Sequence, residues 1–161
     1  MQDKTDFIKT IRDNEALIFK VAKLYTHNKE DEQDLYQDIV YQLWKSFESF
    51  RNESKITTWM YRIALNTSIA WLNKEKRTRG RSAINEAFLN VTTEIDAARE
   101  ERIETLYATI RKLNPAEKAI VLLYLDGRSY EEISAITGFS VSNVGTRLGR
   151  IRQKLSAEIK K

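Results

Sequence analysis

Pro115 is the only proline in 161 residues, and only five glycines accompany it, so little in this chain interrupts a helix. Apolar residues recur at three- and four-residue spacings, and no segment alternates apolar with polar side chains as a half-buried strand would. The chain therefore reads as all-α. In the N-terminal block Ile11, Leu17, Ile18, Val21, Ala22 and Tyr25 recur at helical spacing. A second helix is expected from about Glu30 to Phe47. Steps of 100° per residue group Leu35, Ile39, Val40, Leu43, Trp44 and Phe47 on one arc, opposite Asp34, Gln37, Asp38, Tyr41 and Lys45. A third helix, from about Ile56 to Arg77, sets Trp59, Ile63 and Ala70 on one side and Tyr61, Leu65 and Leu72 on another. A narrow polar stripe of Arg62, Asn66 and Asn73 runs between them, and the helix ends in the basic cluster NKEKRTRGR.

Residues 80–98 lose this periodicity, although Phe88, Leu89 and Val91 lend apolar character. They read as a linker between two small helical domains, 1–79 and 99–161, with helix restarting at about Ala97. The second domain is clearly punctuated. Asn114-Pro115-Ala116-Glu117 supplies an N-cap, a proline at the first helical position and a glutamate at the third. Asp126-Gly127 makes a turn. Ser129-Tyr130-Glu131-Glu132 is a capping box for a short helix that stops at Gly138, and Ser140 can cap the last helix, whose core stripe is Val144, Leu148, Ile151 and Leu155.

A short capped helix, a tight turn at Gly138-Phe139-Ser140 and a longer helix bearing arginines form a helix-turn-helix pattern. In such a unit the second helix enters the major groove, where every base pair presents a different set of donors and acceptors. With Val144, Leu148, Ile151 and Leu155 turned inward, the outward face presents Ser142, Thr146, Gly149, Arg150 and Gln153. Gly145 flanks that face, and Arg147 and Arg152 stand at its two edges, within reach of phosphates. A glycine inside a helix costs about 1 kcal/mol relative to alanine. Two on the DNA-facing side are tolerable if they let the backbone approach the bases closely.

Charge supports an anionic partner. The net charge is only +4, yet residues 111–161 carry ten basic and five acidic side chains, while residues 81–110 carry three and six. The absence of cysteine excludes disulfides, thiol catalysis and thiolate metal sites. His27, alone in THNKEDEQD, reads as a surface residue rather than a metal ligand. No apolar run has the length of a signal peptide or a membrane span, so a cytoplasmic location without membrane insertion is expected.

Taken together, the two blocks resemble the extracytoplasmic-function (ECF) group of bacterial sigma factors in the sigma-70 family, from about Asp6 to Ile159. DEQDLYQDIVYQLWKSF resembles the family's polymerase-binding helix. FRNESKITTWMYRIALNTSIAWLNKEKR resembles the segment that opens and reads the −10 promoter element, with TW-x-YRIA-x-N its most specific piece. LNPAEKAIVLLYLDGRSYEEISAITGFSVSNVGTRLGRIRQKL resembles the −35-binding module.

The resemblance implies that Asp34, Gln37, Asp38 and Tyr41 meet the clamp helices of core RNA polymerase. It implies that Phe50, Arg51, Asn52, Arg62, Asn66, Lys74, Lys76 and Arg77 serve the −10 region of promoter DNA. Within that set, the loop from Phe50 to Ser54 would pocket a flipped base, offsetting the few kcal/mol of its extrusion, and the basic residues, with Arg79, would hold phosphates. Trp59 is assigned to the core rather than to a stacking wedge, and Tyr61 is left open between the two. Ser142, Gly145, Thr146, Arg147, Gly149 and Arg150 would serve the −35 element. The family commonly has a basic residue where Gly145 stands and a larger one at Gly149, which leaves Arg150 as the best candidate for a bidentate guanine contact. An anti-sigma factor is also implied as a partner.

Two other readings compete. A stand-alone helix-turn-helix regulator accounts for the C-terminal third but gives no role to the Asp34/Gln37/Asp38 arc. An enzyme using the carboxylates from Glu30 to Asp38 around a divalent cation would need a phosphate loop, a nucleophile–base pair or a complete ligand set, and none is visible. No catalytic residue, cofactor or metal is expected.

Overall fold

The computed structural model describes residues 4–50, 55–78 and 97–159, and all secondary structure among them is helical. The chain forms two compact units that divide between residues 91 and 92. Most of the expected linker, residues 80–96, lies outside the described residues.

The first unit contains α1 (Lys4–Asp13), α2 (Glu15–Leu24), α3 (Lys29–Phe47) and α4 (Ile56–Thr78). Helix α1 stops because Asn14 leaves helical geometry, at φ −123° and ψ 22°, while its side-chain amide donates to the Thr10 carbonyl. Helix α3 begins where the Asn28 side chain accepts from the Asp31 amide at 2.8 Å, and Glu30, Asp31 and Glu32 complement the positive end of its dipole. Helices α2, α3 and α4 pack on one another through Ile18, Val21, Leu35, Ile39, Leu43, Met60 and Leu65. Burying each such side chain is worth about 1.5–3 kcal/mol. Helix α1 closes one side, with Phe7 edge-on to Trp44 at 5.1 Å and to Phe47 at 5.2 Å.

The apolar arc expected on α3 is wider than the core it serves. Leu35, Ile39, Leu43 and Phe47 are buried, but Val40 is half-buried and Trp44 is 45% exposed. Among the described residues, α1 reaches that edge through Phe7 without covering Trp44 fully. Trp59 is core, as expected, between Phe47 and Phe50, and Tyr61 is core as well, at 1% exposure. The two apolar sides of α4 hold only over its first half: Ala70 is exposed and Leu72 half-buried. His27 is half-buried rather than on the surface, in the connection from α2 to α3.

The second unit contains α5 (Ala97–Arg111), α6 (Pro115–Leu125), α7 (Tyr130–Thr137) and α8 (Val141–Ile159). Both predicted capping boxes form, Asn114 with Glu117 and Ser129 with Glu132. Arg128 bridges Asp126 at 3.1 Å and Glu132 at 3.3 Å, tying the α6–α7 turn to the next helix. Ile120, Leu123, Ile133, Val144, Leu148 and Ile151 fill the core. Leu155, expected in the stripe, is only half-buried. Glu117 does a second job: it accepts from Lys154 Nζ at 2.9 Å, fastening α8 to the start of α6.

Candidate nucleic-acid and partner interfaces

In the second unit, α7 and α8 are set by a tightly built turn. Gly138 adopts φ +88°, a left-handed conformation that side chains disfavour, and its amide donates to the Ser134 carbonyl at 2.8 Å. The Ser134 hydroxyl then donates to the Phe139 carbonyl at 2.6 Å, and the Asn143 amide donates to Ser140 Oγ at 3.1 Å to cap α8. These bonds hold the turn between α7 and α8.

The outward face of α8 carries the predicted −35 residues. Ser142, Thr146, Gly149 and Arg150 are exposed, and Gly145 and Arg147 are half-buried. Ser140, Ser142, Asn143, Thr146, Arg147 and Arg150 line a polar concavity of about 320 Å³. The two glycines differ. A Cβ at Gly149 would meet nothing within 4 Å, so the gap there faces outward. A Cβ at Gly145 would lie 3.5 Å from the Tyr130 ring. That is ordinary packing distance, so the α7–α8 contact does not itself demand a glycine there, and the Tyr130 neighbour is hidden from a helical wheel of α8 alone.

Sequence reasoning missed the company kept by the edge arginines. The Arg147 guanidinium lies over the Phe139 ring at 4.2 Å, and its Nε donates to Asn143 Oδ1 at 2.6 Å. The Arg152 guanidinium lies over the Tyr124 ring at 4.6 Å and donates to the Tyr124 hydroxyl. The Asn143–Arg147 bond is an i,i+4 pair and was readable in principle. The Tyr124–Arg152 contact spans 28 residues and required the fold.

In the first unit, Asp34, Gln37, Asp38 and Tyr41 all stand exposed on one face of α3, and Lys45 Nζ lies 5.4 Å from the centre of the Tyr41 ring. Beside that face is an apolar groove of about 450 Å³, lined by Phe7, Ile8, Tyr36, Gln37, Val40, Tyr41 and Trp44. Gln37 and Tyr41 belong to both. Trp44 and Val40, placed in the core by periodicity, are groove residues.

On α4, Arg62, Asn66 and Asn73 are exposed along one stripe, with Lys74 and Lys76 exposed near its end. Phe50 is half-buried, stacked near Trp59 at 4.9 Å. Arg51 and Asn52 lie outside the described residues, and α4 carries Arg77 in its last turn. Among the described residues, no three His, Cys, Asp or Glu side chains gather as a metal site would require, and no helix is long and apolar enough to cross a membrane.

Comparison with known proteins covers both units. The family model described as Sigma-70 region 2 matches residues 10–78, and the one described as Sigma-70, region 4 matches residues 103–155. The RNA polymerase sigma factor YlaC of Bacillus subtilis is 33% identical over 141 residues, spanning 84% of this chain and 82% of that protein. The ECF RNA polymerase sigma-E factor of Haemophilus influenzae is 32% identical over 158 residues, spanning 87% and 82%. Among solved structures, the fold matches the sigma factor RpoE, crystallised with the anti-sigma factor NepR from Bartonella quintana. The TM-score is 0.76 at 23% identity, over 96% of this chain and 97% of that one. It also matches CnrH in complex with the cytosolic domain of CnrY, with a TM-score of 0.69 at 23% identity, over 98% and 90%.

Proposed function

This chain belongs to the sigma-70 family of RNA polymerase sigma factors, in its ECF group, and we propose how its two units divide the work of promoter-specific transcription initiation. Residues 1–79 bind core RNA polymerase and engage the −10 region; residues 99–161 read the −35 element. Asp34, Gln37, Asp38 and Tyr41 form the polar part of the polymerase contact. The apolar groove shares Gln37 and Tyr41 with that arc, so a partner seated on the arc also covers Trp44, Val40 and Ile8 and gains the hydrophobic part of the interface there. The stripe of Arg62 and Asn66, with Phe50, Arg51 and Asn52, meets the opened −10 strand, and Lys74, Lys76 and Arg77 hold phosphates. Ser142, Thr146 and Arg150 face the bases of the −35 element. The polymerase supplies the chemistry of RNA synthesis, and the chain acts in the cytoplasm as a non-enzymatic subunit.

One observation supports this reading most: a helix-turn-helix unit occurs in the same chain as an exposed acidic arc that continues into an apolar groove. A stand-alone regulator needs the first and leaves the second without a role. An anti-sigma factor, the kind of partner that NepR is for RpoE, is proposed to control the chain by covering these faces.

The direct test is co-purification with core RNA polymerase at moderate salt. The wild-type chain is expected to bind, and Asp38→Lys to bind more weakly with an unchanged unfolding transition, since it reverses a charge on an exposed arc. Full competition by Asp38→Lys for core enzyme would remove α3 from the interface.

A further inference from the structure

The two arginines at the edges of α8 share an arrangement that Arg150, between them, lacks. Arg147 rests on the Phe139 ring and Arg152 on the Tyr124 ring, and each has one guanidinium nitrogen committed to a neighbouring oxygen. The rings come from different elements, the α7–α8 turn and α6. Neither arginine forms an ion pair within 4 Å among the described residues; Glu117, which feels the Arg147 charge at longer range, is bonded to Lys154. Arg150 is exposed, with no ring beneath it among the described residues.

The physics of the two kinds of support differs. A carboxylate would order an arginine and neutralise it. A ring face orders the guanidinium through its quadrupole and leaves the positive charge in place. After Nε of Arg147 is committed to Asn143, its Nη atoms still offer four N–H donors in a fixed plane, a geometry matched to a phosphate. A free arginine must lose its rotamer freedom on binding; one already held has lost much of it.

Building on the −35 role proposed above, we infer that Phe139 and Tyr124 are positioning residues, aromatic platforms that pre-order Arg147 and Arg152 as a pair of phosphate grips on the two sides of the major groove. The base-facing residues Ser142, Thr146 and Arg150 then read sequence from a register that the two grips have set. Phe139 is well placed for this task, because its backbone is pinned by the Ser134 hydroxyl.

The test is a double-mutant cycle on the full chain, reconstituted with core RNA polymerase. The probe is the duplex most enriched from a random-sequence library by the wild-type holoenzyme, titrated at several salt concentrations. Phe139→Leu, which keeps apolar bulk and removes the ring face, is expected to weaken binding by about two- to tenfold, the span of one side chain's ordering. Phe139→Tyr restores it. In the Arg147→Ala background Phe139→Leu is expected to cost nothing further, and Arg147→Ala alone to lower the salt slope by about one. Tyr124→Leu and Arg152→Ala form the second cycle. Losses from Phe139→Leu that are equal in both backgrounds would show a merely structural ring and overturn the inference, as would no loss at all. If the wild-type holoenzyme enriches no duplex, the −35 reading falls together with the platforms. Enrichment with an additive cycle removes the platforms alone.

Discussion

Gly149 puts the two demands on α8 in opposition. A helix-interior glycine costs about 1 kcal/mol relative to alanine, and a Cβ there would meet nothing within 4 Å. Nothing inside the unit requires the gap. Gly149→Ala is therefore expected to raise unfolding free energy by up to about 1 kcal/mol in denaturant titrations, while weakening promoter binding by the holoenzyme. A stabilised variant that binds as before would remove the close approach of backbone to bases. Arg150 carries the other residue-level prediction. Arg150→Ala should cost about 1–3 kcal/mol on the preferred −35 sequence and much less on unrelated duplexes, measured by competition binding. An equal loss on every duplex would make it a phosphate contact. At this scale sequence was a good guide to which residues face outward on α8, because its 3.6-residue period is steady. It was silent on Tyr130 beneath Gly145 and on the rings beneath Arg147 and Arg152, since those neighbours come from other elements.

Among the elements, the helix ends were the most legible part of the chain. Asn114, Ser129 and Ser140 each place an oxygen where an amide at the helix start lacks a partner, and such signals are local. Helix breadth was less so. Trp44, Val40, Leu155 and Ala70 sit on faces that periodicity calls apolar, but a face is buried only as far as its neighbours extend. Glu117 shows how one residue can join two elements. Burial alone would push its carboxyl up. Hydrogen bonds from Lys154 and the Asn114 backbone, with the nearby charges of Lys154 and Arg147, outweigh that and hold it below the usual carboxylate range. A folded pKa below the unfolded one means this stabilisation is present above the ordinary carboxylate range and lost as pH falls through Glu117's own lowered pKa. Glu117→Gln, which loses the charge and weakens the tie to Lys154, should lower the unfolding temperature at neutral pH, and the gap to wild type should narrow on acidification. A gap that widens in acid would contradict the assignment.

For the molecule as a whole, the division into two helical units followed from the break in periodicity after residue 79 and from the basic excess of the last third. What the sequence could not convey by periodicity is that the acidic arc of α3 and the apolar groove are one continuous surface, because the groove needs α1 laid against α3. Under the proposed function a polymerase subunit uses that surface, and a free-standing DNA-binding protein has no need of it. Run-off transcription over a genomic fragment library, with core RNA polymerase and the purified chain, tests the account most directly. Transcripts starting at a small set of sites that share −35 and −10 sequences, and absent with core enzyme alone, are predicted. Start sites unchanged by adding the chain, or transcription driven equally well by residues 99–161 alone, would contradict it.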